Sequence, residues 1–189
     1  FKLALKTCLM RNSFLKNKFK SRFLDKSQSY LLKIDLIKKI LNDVNPKFII
    51  IVRNPLATCW RASKEKTGLS NQKVNLRTRL NMSIEHWNNC FSEIKKYQNT
   101  NDVIIFRIED LVADIENGMA KIFKFIDCSF EKEFLPNGKE KLGYGSLRGE
   151  RWFPVRKEVN NHRIEVVPDW AKKIILERCK NGMNYFNYN

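Results

Sequence analysis

The sequence predicts an α/β fold with a parallel sheet flanked by helices, and three observations lead to it. Two short runs, "FIIIV" (Phe48 to Val52) and "VIIF" (Val103 to Phe106), are apolar without alternation, the pattern of strands buried on both faces. Around them lie longer segments whose apolar residues recur every three or four positions, as on amphipathic helices. The order is helix, strand, helix, helix, strand, helix, the rhythm of parallel strands joined by helical crossovers. The chain has 189 residues, enough for one sizeable core, and a single domain over 1–189 is expected.

Each element has its own justification. Phe1 to Phe23 mixes Lys and Arg with Leu and Phe and reads as helical, without a clean face. Tyr30 to Leu41 carries a stripe at Leu31, Ile34, Ile37, Ile40 and Leu41, and Pro46 ends any helix before the first strand. Ala57 to Lys66 reads as a short helix and Gly68 to Asn75 as a polar connector. Leu76 to Tyr97 is a long amphipathic helix with Leu76, Leu80, Ile84, Trp87, Phe91 and Ile94 on one face. Asn101 and Asp102 make the turn into the second strand, after which Ile115, Met119, Ile122, Phe123 and Ile126 form another stripe. Lys132 to Arg151 holds four of the seven glycines among many charges, the composition of a mobile surface loop. Pro168 fits a first helical turn, and Trp170 to Phe186 reads as a closing helix.

Charge narrows the partners without choosing one. Lys and Arg total 36 against 20 Asp and Glu, a formal net charge of +16. Such a field favours polyanions, phosphorylated small molecules or acidic membrane surfaces, although a lysine-rich proteome gives the same excess. Cys8, Cys59, Cys90, Cys128 and Cys179 stand singly, with no C-x-x-C pair and no histidine at ligand spacing, which argues against zinc. An odd set of thiols suits a reducing compartment, so the cytoplasm is the expected location. No apolar run approaches the ~20 residues that span a bilayer, and the start does not resemble a signal peptide.

The stretch "KFIIIVRNPLATCWRASKE" places Arg53 directly after the first buried strand. Ligands of parallel sheets collect at the carboxyl ends of strands, where a guanidinium can grip a phosphate and a following helix can present free backbone N–H groups. The same arginine could instead cap the sheet by pairing with a carboxylate, and spacing alone does not choose.

Four ordered stretches carry a resemblance. "KFIIIVRNP" resembles the 3′-phosphate-binding strand and turn of the sulfotransferases that use 3′-phosphoadenosine 5′-phosphosulfate (PAPS). "LDKSQSY" is similar to the family's E-K-[ST]-P segment, "VIIFRIEDLVADIENGMAKIFKFID" to its R-Y-E-D-L segment and following helix, and "ERWFPVRKEVNN" with "NYFNY" to its closing segment. The match runs from about Asp25 to Tyr188. It implies a P-loop nucleotide-hydrolase-like sulfotransferase architecture, PAPS as donor co-substrate, no metal, and an acceptor hydroxyl or amine.

The resemblance also implies roles. Arg53 matches the arginine on the nucleotide 3′-phosphate. Arg61 stands where the simplest alignment expects the family's partner serine, with Ser63 two residues on, and either could donate to phosphate. Lys26 matches the lysine near the sulfuryl group that stabilises the departing charge, the catalytic candidate. Arg148 and Gly149 fall in the family's basic loop that closes over the nucleotide. Glu109 and Asp110 occupy the R-Y-E-D-L positions, with Ile108 in place of tyrosine, and are expected to be structural; Trp152 and Arg156 are expected to anchor the loop's far end by packing. The implied reaction is in-line sulfuryl transfer, which rests on positioning and cationic stabilisation. A general base is expected. Neither His86, beside Trp87, nor His162 matches a family position, and Gln28 stands near where some members carry a histidine; an amide cannot act as a base.

The family's opening strand and its Lys, Gly and Thr loop for the 5′-phosphosulfate have no counterpart, since "FKLALKTCLMRNSFLKNKFKSRF" has no glycine to make a phosphate-wrapping turn. With no initiator methionine at Phe1, the expectation is that this strand and loop were lost and that the chain alone binds nucleotide weakly and transfers nothing. The alternative reading is a basic nucleic-acid-binding protein on an α/β scaffold, supported by the charge and by aromatic residues among Lys and Arg, and weakened by the absence of a reader motif.

Overall fold

The computed structural model describes residue 24 and residues 28–64, 74–135 and 159–188, and divides the chain into two units, Phe1–Lys47 and Phe48–Asn189. In the first, a 3-10 helix, Gln28–Lys33, runs into α1, Ile34–Ile40. The Leu41 N–H bonds back to the Ile37 carbonyl to close it, and Asn45 takes a positive φ before Pro46.

In the second unit the two apolar runs form β1, Phe48–Val52, and β2, Val103–Arg107. They pair in parallel, Phe48 opposite Val103 through Val52 opposite Arg107, as a two-stranded sheet among the described residues. This register brings two arginines to one end of the sheet. Arg107 is the last residue of β2, and Arg53 follows its partner Val52. Burial on both faces, expected of β1, does not hold throughout: Ile50 and Val52 are buried but Ile51 is 51% exposed. Among the described residues each strand has one strand partner, and so less cover than the interior of a wide sheet would give.

Helix α2 spans Pro55–Lys64, two residues earlier than its apolar pattern suggests. Proline suits a first helical position because its missing N–H needs no partner there. Asn54 completes the start, its Oδ1 accepting the Leu56 N–H at 2.9 Å and its carbonyl the Thr58 N–H at 3.1 Å. Helix α3, Leu76–Lys96, has the expected extent and is capped by Asn75, whose Oδ1 accepts the Thr78 N–H at 2.9 Å.

After β2 come α4, Ile108–Ala113, and α5, Ile115–Phe125, with Asp114 capping α5 through the Asn117 N–H. A 3-10 turn, Lys132–Phe134, begins the segment expected to be a loop, and 136–151 lie outside the described residues. Three further helices close the chain: α6, Val159–Glu165, α7, Asp169–Arg178, and α8, Lys180–Tyr185. The single closing helix expected from Trp170 to Phe186 is thus two, broken at Cys179.

The core lies between α2, α3, α7 and α8. Leu80, Ile84, Cys59, Ala171, Ile175 and Cys179 are fully buried, and Trp60 meets Trp170 edge to face at 5.8 Å. The Cys59 thiol donates to the Ser83 carbonyl at 3.6 Å, and the neighbouring Cys179 together with burial pushes it far up, so it stays protonated. Arg178 ties α7 to α3 through Asn81 at 2.8 Å and Glu85 at 3.4 Å. At the other end Trp87, Phe91, Tyr185, Phe186 and Tyr188 form one aromatic cluster with centroids 4.9 to 6.4 Å apart.

Gly182 makes that cluster possible, because a Cβ there would collide with the Trp87 ring. Helix propensity alone favours alanine over glycine by about 0.5–1 kcal/mol. Overpacking against a buried ring costs about 1–3 kcal/mol. Gly182→Ala is therefore expected to lower stability by about 1–2 kcal/mol in a denaturant melt, and a gain would show that the ring can move aside.

Candidate functional site

Arg53 sits at the carboxyl end of β1, half-buried, on a turn whose backbone is held from two sides. The Trp87 indole Nε1–H donates to the Arg53 carbonyl at 3.2 Å, from α3. On the next residue, the Asn54 N–H donates to Glu109 Oε1 at 3.0 Å, from α4. Glu109 is itself fixed: its Oε2 accepts the Tyr188 hydroxyl at 2.9 Å. The Tyr188 ring lies under the Arg107 guanidinium, whose carbon is 4.7 Å from the ring centroid. Arg107 Nη1 donates to the Phe186 and Asn187 carbonyls, both at 2.9 Å. Its Nε lies 3.3 Å from Asp110 Oδ2, near enough to pair charges though misaligned for a hydrogen bond.

The electrostatics follow from this packing. Burial holds the Arg53 guanidinium below its ordinary range, Glu109 opposes that, and Arg61 adds to it. An arginine keeps its proton regardless. Burial, with the Glu109 carboxylate adding to it, pushes the Tyr188 hydroxyl far above the phenol range, so Tyr188 stays a donor to Glu109.

The other residues singled out by sequence fall in different places. Arg61 is exposed in the last turn of α2, away from the strand-to-helix corner but within electrostatic reach of Arg53. Ser63 is fully buried and its hydroxyl donates to the Trp60 carbonyl at 2.7 Å, so in this arrangement it faces the core and presents no surface to a nucleotide. Lys26, Arg148, Gly149, Trp152 and Arg156 lie outside the described residues. Glu109, expected to be structural, holds the turn after the first strand through the Asn54 N–H. His86 is exposed on α3 with Cys90 Sγ 3.7 Å from its Nε2, and His162 on α6 is 78% exposed, 3.9 Å from Glu165.

The start of α2 also differs from expectation. Pro55 has no N–H, and those of Leu56 and Thr58 are engaged by Asn54. The helix terminus at this corner therefore has few backbone N–H groups left to offer an anion. Asn54, Trp87 and Tyr188 were missed as site residues. Asn-Pro after a strand was the available signal for Asn54, whereas Trp87 and Tyr188 read as ordinary core aromatics. Among the described residues no group of three or more His, Cys, Asp or Glu could hold a metal, and no helix is long and apolar enough to cross a membrane.

Ser63→Ala removes the bond to Trp60 while leaving a good helix former in place. The variant is expected to lose no more than about 1 kcal/mol of stability and to keep nucleotide affinity within about twofold. A tenfold weakening would mean that the hydroxyl turns outward to meet phosphate.

Residues 4–132 match the model of the family described as "Sulfotransferase family". The fold is similar to the sulfotransferase domain from the curacin biosynthetic pathway, with a TM-score of 0.59 and 17% identity, covering 96% of this chain and 68% of that one. No curated protein matches the sequence.

Proposed function

The chain belongs to the sulfotransferase family, and on that premise we propose that it acts in transfer of a sulfuryl group from PAPS to a hydroxyl or amine acceptor, with the Arg53 turn receiving the donor's 3′-phosphate. One observation carries the reading: a half-buried guanidinium at the carboxyl end of a parallel strand, on a turn fixed by Trp87 and Glu109, with Arg61 adding like charge. Burial and the like charge of Arg61 disfavour the Arg53 cation, the Glu109 carboxylate offsets part of that cost, and an arriving phosphate would offset more. The residues present therefore fit a phosphate group.

PAPS, when bound, supplies the sulfuryl group and a good leaving group, adenosine 3′,5′-bisphosphate. The work of the chain is binding and orientation. Arg53 offers a planar fork of donors to the 3′-phosphate, and Arg61 adds charge from the flank. Fixing the turn before the ligand arrives lowers the ordering cost of binding. By the family resemblance, Lys26 stabilises charge on the leaving group, and Arg148 with Gly149 closes over the nucleotide. The free thiols Cys59, Cys90, Cys128 and Cys179 support a reducing compartment, the cytoplasm.

Calorimetric titration with adenosine 3′,5′-bisphosphate tests the reading. Saturable one-site binding is expected, with only weak binding of a mixed-sequence oligonucleotide. No saturation by the bisphosphate, together with tight, steeply salt-dependent oligonucleotide binding, would contradict it.

A further inference from the structure

A cleft of about 830 Å³ runs along β2 with no β1 residue in its lining, and it shares with the surroundings of the site above Arg107 and the partners of that arginine, Asp110, Phe186 and Asn187. Four consecutive strand residues, Ile104 to Arg107, line it. Alternate residues of a strand point to opposite faces, so a cleft touching all four meets the strand edge-on. That edge has no paired strand among the described residues. It also lacks the usual protection: "VIIF" has no proline and no charge, and Ile104, Ile105 and Phe106 are each only half-buried.

The walls give the cleft a sign. Lys121 and Lys124, one helical turn apart on α5, are exposed, and neither has an ion-pair partner among the described residues. The acidic residue of the lining, Asp110, already faces Arg107. Phe125 on one side, and Tyr185 and Phe186 on the other, supply apolar surface.

We propose that this edge binds an extended acidic segment of a partner protein by strand addition to β2. Main-chain bonds to the open edge would provide affinity, apolar side chains at alternate positions would meet Phe125 and Tyr185, and Glu or Asp between them would face Lys121 and Lys124. Four strand residues span about 13 Å, so four or five peptide residues would be engaged. This proposal does not depend on the sulfuryl-transfer reading.

The test is fluorescence anisotropy of the full chain with a labelled peptide of about eight residues alternating Glu with Val, long enough to overhang the strand. Saturable binding is expected, weakened about tenfold or more in the K121E/K124E double variant, where like charges oppose the peptide. Both lysines are exposed, and an unchanged unfolding midpoint would confirm that the variant is folded. N-methylation of every second peptide amide is expected to abolish binding. Equal binding of the N-methylated peptide, or of one with Lys in place of Glu, would overturn the proposal. So would two alternative occupants: decanoate binding without peptide binding, or self-association of the chain that the double variant abolishes.

Discussion

Glu109→Ala is expected to produce the largest loss of stability of any single substitution at the site. The carboxylate accepts from the Asn54 N–H and the Tyr188 hydroxyl, and both donor residues are buried. Stranding a buried donor costs about 1–3 kcal/mol, and because the two donors share one carboxylate their losses are not fully additive, so the pair together costs about 2–4 kcal/mol. For a chain of this size each kcal/mol lowers the melting midpoint by about 2–4 °C, giving a drop of roughly 5–15 °C in a thermal melt. Loss of the bond to Asn54 also frees the Arg53 turn, so bisphosphate binding should weaken. Glu109→Gln separates the two roles. The amide keeps an acceptor for Asn54 and can donate to the Tyr188 oxygen, so most stability should remain, while Arg53 loses its opposing negative charge. Bisphosphate affinity is then expected to rise roughly two- to fivefold. Weakening in both variants would mean that the carboxylate contributes more than geometry to phosphate binding.

The second large effect is on binding. Arg53→Ala is expected to weaken adenosine 3′,5′-bisphosphate binding by about 1.5–3 kcal/mol, the range for hydrogen bonds to charged groups, or roughly 10- to 150-fold. Folding should be nearly unchanged, because the turn is held through backbone atoms, the Arg53 carbonyl and the Asn54 N–H, and not through the guanidinium. Arg53→Lys keeps the charge but loses the planar fork, and is expected to recover only part of the affinity. Lys39→Ala, an exposed change on α1, serves as the control for nonspecific charge and should leave affinity within about twofold.

Much of the fold was legible because local chemistry dictates it. The two strands follow from β-branched runs too short and unpatterned for helices, and α3 from a stripe sustained over 21 residues. Where reading failed, competing local signals explain it. The start of α2 was placed too late because the apolar pattern begins after the Asn-Pro cap. The break at Cys179 left no trace in periodicity, since Ala171, Ile175, Cys179, Met183 and Phe186 stay buried at three- or four-residue spacing across it. Helix α6, "VNNHRIE", is polar and presents no stripe.

The site was legible only at its centre. Arg53 stood out as a guanidinium ending a buried strand. Its supports lie far away in sequence: Trp87 is 34 positions from Arg53, Glu109 is 55 from Asn54, and Tyr188 is 79 from Glu109. No local pattern encodes such contacts, because they exist only once β1 and β2 are in register and the closing helices have packed. Ser63 shows the converse. The resemblance offers it as a phosphate donor two residues past the aligned position, but its helix turns it into the core.

The central claim is that the Arg53 turn recognises a 3′-phosphate, and a ligand-and-variant cycle tests it most directly. Affinities of adenosine 3′,5′-bisphosphate and adenosine 5′-monophosphate are measured for the native chain and for Arg53→Ala. The native chain should prefer the bisphosphate by about tenfold or more, and the variant should bind both ligands alike. Equal preference for the bisphosphate in both proteins would show that another group reads the 3′-phosphate, and the assignment of Arg53 would be wrong.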